Sequence, residues 1–216
     1  MNINNFNKNI SFLGGLKKNL RLGEKVLHDF KKDFPYITSS SLWRERKNRV
    51  EERENKPLFE CRKIINLYSV KIKKMRESLE GRPNSEDKRT YNERLREEVQ
   101  KRGYGNCGEI SDLLSSYLKQ RGIEYRDMSV VIQCPKRYGY KDHTFKVIGM
   151  EKYANPRRPD TWGNNAVIID GWRNFVLSVP DGIREYEKLY GTEHRKNNSN
   201  FLFFDRKNMP YYQNFS

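Results

Sequence analysis

The chain has 216 residues, 35% of them hydrophobic, with 43 Lys and Arg against 28 Asp and Glu and a formal net charge of +15. Such a length suits one domain with an accessory region, or two small domains, and hides roughly 70% of the unfolded surface on folding. The 13 Tyr and 11 Phe offset the low aliphatic content, since each buried ring removes a large area from water, and this argues against wholesale disorder. The cation excess is spread over both halves of the chain. A field of that sign attracts acidic proteins, nucleic acid or anionic lipid without choosing among them, and a solvated basic helical surface explains it equally well. Three cysteines, Cys61, Cys107 and Cys134, are an odd number in a chain too long to need disulfide staples, which implies a reducing compartment. No segment approaches the roughly 20 apolar residues of a membrane span, and ISFLGGL is too short for a signal-peptide core. The expectation is a soluble protein of the cytosolic type, unless a non-cleaved signal exports it.

The first ten residues, MNINNFNKNI, and the Asn-rich RKNNSN at 195–200 are candidates for mobile segments. Leu13, Leu16, Leu20, Leu27 and Phe30 recur at helical spacing, with Pro35 beyond the charged end. SSSLWRERKNRVEEREN (39–55) combines serine caps with alternating charge, the pattern of an exposed helix. After Pro57, the residues Leu58, Ile64, Ile65, Ile72, Met75 and Leu79 mark an amphipathic helix stopped by Gly81, Pro83 and Asn84. A further helix is expected from about Ser85, with Glu86 and Asp87 in its first turn, to about Lys101. Beyond Gly103 one helix runs from Cys107 to a stop at Gly122. Short β-type segments follow, MSVVIQC, HTFKVIGM, NAVIID and NFVLSV, separated by turn-rich stretches. A helix from about Asp181 to Leu189 and the strand FLFF close the chain. The order predicts an α+β fold, with a helical region over 1–100 and a core over 101–216 in which one helix packs on an antiparallel sheet.

Within that core, GYGNCGEISDLLSSYL (103–118) places Cys107 at the head of a helix. Unpaired backbone N–H groups and the helix dipole there favour the thiolate, which is the nucleophilic form. Gly105 and Gly108 leave room for a substrate, and the Cys107 N–H is an oxyanion donor. Asn106, Tyr104 and Gln100 are candidates for a second donor. A thiolate also needs a proton shuttle held by a third group. His28 falls in the N-terminal helix and His194 in a Lys/Asn-rich loop, whereas His143 opens HTFKVIGM. Ala166, Ile168 and Asp170 share one face of the next strand, so antiparallel pairing sets His143 beside Asp170, where a carboxylate orients an imidazole. The insert MEKYANPRRPDTWGNN is longer than a minimal hairpin, which keeps Asp160 and Asp181 as alternative carboxylates. Trp162 and Trp172 flank this constellation, as walls of a substrate channel or as a cover for the sheet. Cys61 and Cys134 read as packing residues, Glu109 as a favourable acid in a first helical turn, and no Cys/His spacing suggests zinc or another metal site. Nor is any cofactor expected.

GNCGEISDLLSSYLKQRGIEYR, DHTFKVIG and AVIIDGW together resemble the core of the transglutaminase-like superfamily of papain-fold cysteine enzymes, over residues 103–175. The resemblance implies a papain-like catalytic core with Cys107 as nucleophile, His143 as general base and acid, and Asp170 as the orienting residue. It also implies thioester chemistry on protein glutamine side chains (cross-linking or deamidation), or papain-like proteolysis. An acidic protein substrate is the expected partner, and the size, charge and missing signal resemble those of bacterial effectors that act inside host cells. A basic, non-catalytic module for nucleic acid or an acidic protein is the competing reading.

Overall fold

The alternating segments of the second half form a single five-stranded sheet in the computed structural model, which describes residues 3–35, 37, 58–80, 90–133, 140–194 and 200–206. The expected helix over 39–55, the stop at Gly81, Pro83 and Asn84, most of RKNNSN, Cys134 and the side chain of Cys61 lie outside the described residues. The strands are β1 (Tyr125–Gln133), β2 (Tyr140–Ile148), β3 (Val167–Asp170), β4 (Phe175–Ser178) and β5 (Asn200–Asp205). Their spatial order is β4-β3-β2-β1-β5, and every neighbouring pair is antiparallel. The helices are α1 (Ile3–Asp33), α2 (Leu58–Glu80), α3 (Tyr91–Arg102), α4 (Cys107–Gln120) and α5 (Val179–His194). The fold is therefore α+β, as the element order implied.

Several boundaries differ from the sequence expectation, each for a local reason. Residues 3–10 join α1, so the proposed mobile N-terminus is helical from Ile3. The start of α3 falls at Tyr91 rather than near Ser85. There the Thr90 hydroxyl accepts the Glu93 N–H, and the Glu93 carboxylate accepts the Thr90 N–H, a reciprocal capping box that satisfies two orphan donors. Helix α5 begins at Val179, two residues early, because the Ser178 hydroxyl accepts the Asp181 N–H and Pro180 suits a first turn. His143 is the fourth residue of β2 and not its opening residue, since β1 and β2 pair over nine positions from Tyr125↔Ile148 to Gln133↔Tyr140. The stop of α4 is the expected one. Gly122 adopts φ +62°, its N–H reaches Lys119 O, and the Ile123 N–H reaches Leu118 O, the Schellman pattern.

The chain divides into two compact units, one comprising residues 1–30 and 114–216 and the other residues 31–113. In the first, strand alternation splits the sheet into two faces. Met128, Val130, Phe145, Val147, Ile168 and Phe203 form a core with Trp162, Val179 and Tyr186, and Ile183 of α5 packs against it. The opposite face carries Ile169 and Val176, against which Gly23 of α1 lies so closely that an added Cβ would stand 2.7 Å from Val176 Cγ1. That same face buries Lys146 completely, ion-paired with its cross-strand partner Asp127 and 5.2 Å from the Tyr125 ring centroid. The sheet is thus flanked by α5 on one face and α1 on the other. In the second unit Ile72, Met75 and Leu79 of α2 and Leu95 and Val99 of α3 are buried, and Arg96 pairs with Asp33.

Gly23 is the residue whose replacement tests this layering. In an exposed helix interior Gly→Ala stabilises by about 1 kcal/mol. Here the methyl must displace Val176 and Ile169, so Gly23→Ala is expected to lose about 1–3 kcal/mol in chemical denaturation. A gain in stability would contradict the close approach of α1 to the sheet.

Candidate active site

Asp170 ends β3 with none of its surface exposed. A buried carboxylate without partners reverts to its neutral form, so its anion depends on the donors around it. Three are in place. The His143 Nε2–H donates to Oδ2 at 2.5 Å, the Tyr186 hydroxyl donates to the same oxygen at 2.8 Å, and the Arg173 backbone N–H donates to Oδ1 at 2.8 Å. Burial pushes the Asp170 pKa up. The charge and hydrogen bond of His143, with the bonds from Arg173 and Tyr186, outweigh burial and hold the carboxyl below its ordinary value of 3.8. An ionised carboxylate only accepts, which assigns the ring proton to Nε2 and makes Nδ1 the nitrogen that carries the lone pair of the neutral imidazole.

Sheet register delivers this pair. Lys146 lies opposite Ile169 and Val147 opposite Ile168, so continuing the ladder by one residue sets Phe145 opposite Asp170. His143 is then the diagonal neighbour of Asp170 on the same face. The imidazole is 3% exposed and enclosed by rings, with centroids at 5.2 Å for Trp172, 5.6 Å for Tyr186 and 6.4 Å for Phe145. The Arg173 guanidinium lies 4.3 Å from the Trp172 ring centroid. Asp170 also holds the turn over 171–174, because its Oδ1 accepts the Arg173 N–H while Asn174 takes φ 61°. One side chain therefore serves both the turn and the imidazole. Of the three carboxylates the sequence left open, Asp170 is the one bonded to His143. Asp160 is exposed and pairs with Arg158, and exposed Asp181 bonds Ser178 and Arg184.

Cys107 belongs to the unit of residues 31–113, whereas His143 and Asp170 belong to the other. It is the first residue of α4, a half-buried thiol. Asn106 occupies the capping position before it. The Asn106 carbonyl accepts the Ile110 N–H at 3.1 Å, and its own N–H donates to Glu109 Oε2 at 2.8 Å. Glu109 is 3% exposed, and Arg76 Nε on α2 donates to its Oε1 at 2.5 Å. A carboxylate two residues beyond a cysteine opposes thiolate formation, so the Arg76 charge offsets what Glu109 would otherwise do to the sulfur. Glu109 is thus the expected first-turn acid, and it is also buried, ion-paired and bonded to the N–H of the residue before the helix.

The remaining sequence candidates each have their own surroundings. Gln100 is exposed on α3, and Tyr104 is buried, its hydroxyl accepting from Arg102 Nη1 at 3.2 Å and its ring 6.2 Å from that of Tyr68. Trp162 is fully buried in the core, edge-on to Phe203 with its Nε1–H donating to Asn155 O, while Trp172 stands at the imidazole. His28 is exposed on α1 beside Asp29. Tyr186 and Arg76 are the residues that sequence reasoning missed. Val179, Ile183 and Tyr186 form a helical stripe, a signal for the buried face of α5, but nothing local said which strand that face would meet. Among the described residues no cluster of His, Cys, Asp and Glu is arranged to hold a metal. Comparison of the chain with protein-family models, curated proteins and solved structures returns no match.

Two stability measurements follow from these contacts. The Asp170 pKa in the folded chain lies below its unfolded value, so this carboxylate contributes stability that is complete above that unfolded value and is lost as pH falls through the folded one. Asp170→Asn is expected to flatten the acid limb of the stability–pH curve obtained by chemical denaturation. An unchanged limb would mean that Asp170 is not ionised in the folded protein. Arg76→Met leaves the buried Glu109 charge uncompensated and is expected to cost about 2 kcal/mol, less than a fully buried pair because Arg76 is half exposed.

Proposed function

We propose that this protein is a cysteine enzyme of the transglutaminase-like, papain-fold type, acting through a thioester on glutamine side chains of a protein substrate. What supports the reading is the His143–Asp170 pair: a ring-enclosed imidazole whose Nε2–H is committed to an ionised, buried carboxylate. That bond orients the ring and stabilises the imidazolium when a proton arrives, which is the role of the third member of a nucleophilic triad. Cys107, on the first residue of α4, supplies the nucleophile in this proposal. Its sulfur attacks the carboxamide carbon, and His143 takes up the thiol proton through Nδ1 and delivers it to the leaving ammonia. Backbone N–H groups at the head of α4 stabilise the oxyanion, with Asn106 next to them. Water resolves the thioester to glutamate, and a lysine amine resolves it to a cross-link.

The net charge of +15 favours an acidic protein partner through long-range attraction. A reducing compartment keeps the Cys107 thiol available, and delivery into a host cytosol fits the same picture. Among the described residues no helix is long and apolar enough to cross a membrane.

Iodoacetamide labelling near neutral pH tests the chemistry. Cys107 is expected to react faster than Cys61 and Cys134, by about tenfold or more given the spread of thiol pKa values that local charge produces. His143→Ala should remove most of that advantage. Equal, slow labelling of all three thiols would eliminate the enzyme. Intact-mass analysis of an acidic, glutamine-rich protein incubated with wild type and Cys107→Ala then separates the outcomes. Replacement of an amide NH2 by OH marks deamidation, joined chains mark cross-linking, and fragments mark proteolysis. Salt-sensitive nucleic-acid binding that survives Cys107→Ala, without any of these products, would favour the basic binding module.

A further inference from the structure

Tyr186 is buried on α5, 16 residues beyond the strand end that carries Asp170, and it touches the imidazole pair twice. Its hydroxyl donates to Asp170 Oδ2 at 2.8 Å, the oxygen that accepts His143 Nε2–H, and its ring lies edge-on to the imidazole at 5.6 Å. The ring is held by Phe145 at 5.3 Å and Phe175 at 5.5 Å. A hydroxyl needs no such partner to pack there, since a phenylalanine would fill the same aromatic cluster. The polar atom is therefore informative.

We propose that Tyr186 is a positioning residue for His143, acting through Asp170 by sharing the carboxylate oxygen that orients the ring. The inference rests on the nucleophile reading given above and adds a fourth member to it. Two donors on one oxygen divide its negative charge. Tyr186 therefore sets how strongly Asp170 pulls on the Nε2 proton. Arg173 closes the remaining oxygen through its backbone N–H. The groups facing the imidazole include Asp170 from β3, Tyr186 from α5, Phe145 from β2 itself, and Trp172, with the Arg173 guanidinium beyond the indole.

The full-length protein labelled with nitrogen-15 histidine reports this directly, because a ring N–H buried against a carboxylate gives a resolved low-field proton resonance. Tyr186→Phe keeps the ring and removes the competing donor. The Nε2–H resonance is expected to move further downfield as the bond to Asp170 tightens, and Asp170→Asn is expected to shift it upfield. Replacing the Tyr186 hydroxyl donor by a stronger one, with 3,5-difluorotyrosine placed at position 186, should move it the opposite way from Tyr186→Phe. That second variant decides the matter if the phenylalanine form does not fold. An Nε2–H resonance that stays in place in either folded variant overturns the role of Tyr186. Iodoacetamide labelling of Cys107 separates this from the broader reading. Dependence of labelling on His143 with an unmoved resonance sinks Tyr186 alone, whereas a moved resonance with labelling indifferent to His143 sinks the enzyme and leaves the Tyr186–Asp170–His143 chain standing.

Discussion

A carboxylate with none of its surface in water has to be neutralised, and Asp170 meets that requirement with an imidazole, a phenol and a backbone amide. Its geometry constrains three elements at once. The turn after β3 closes around Oδ1, β2 is brought into a register that presents His143 diagonally, and α5 begins soon enough to bring Tyr186 back over the same face. Losing any one donor leaves the other two facing a group whose charge is no longer supported, so the cluster is cooperative. Low dielectric raises the stakes in both directions: a fully satisfied network rigidifies the face, and a partly satisfied one is costly.

The second half of the proposed chemistry follows the same logic of balancing buried charge. Glu109 caps the tip of α4 by accepting the Asn106 N–H, which relieves an orphan donor but sets a negative charge near Cys107. Arg76 supplies the counter-charge from α2. The acid at the helix tip is thus neutralised locally. A strongly basic chain could have left that acid solvated; its 3% exposure is the reason it needs a specific partner.

Much of the fold was legible in particular residues. The change from 3.6-residue spacing in Leu13–Phe30 and Ile72–Leu79 to two-residue alternation in HTFKVIG and AVIID announced helices and strands, and Gly122 ended α4 where a left-handed residue was required. Boundaries were less legible. Thr90 and Ser178 start their helices through side-chain hydrogen bonds that compete with equally plausible caps nearby, at Ser85 and Asp181, and composition alone does not rank such competitors.

For the site, the sequence by itself determined the parts: a cysteine at a helix head, a histidine on an alternating strand, and an aspartate at the end of the next one. Chain order and two-residue periodicity suffice for that, because both are local. Strand alternation in the sequence favoured Asp170 and left Asp160 and Asp181 open, and only the tertiary structure decided among them, by burying Asp170 against His143 while the other two stay exposed. It also decided that Tyr186 bonds Asp170 and that Arg76 pairs with Glu109. Each reaches its partner across 16 or 33 residues through the docking of a whole helix, and no local pattern encodes where a helix face will land.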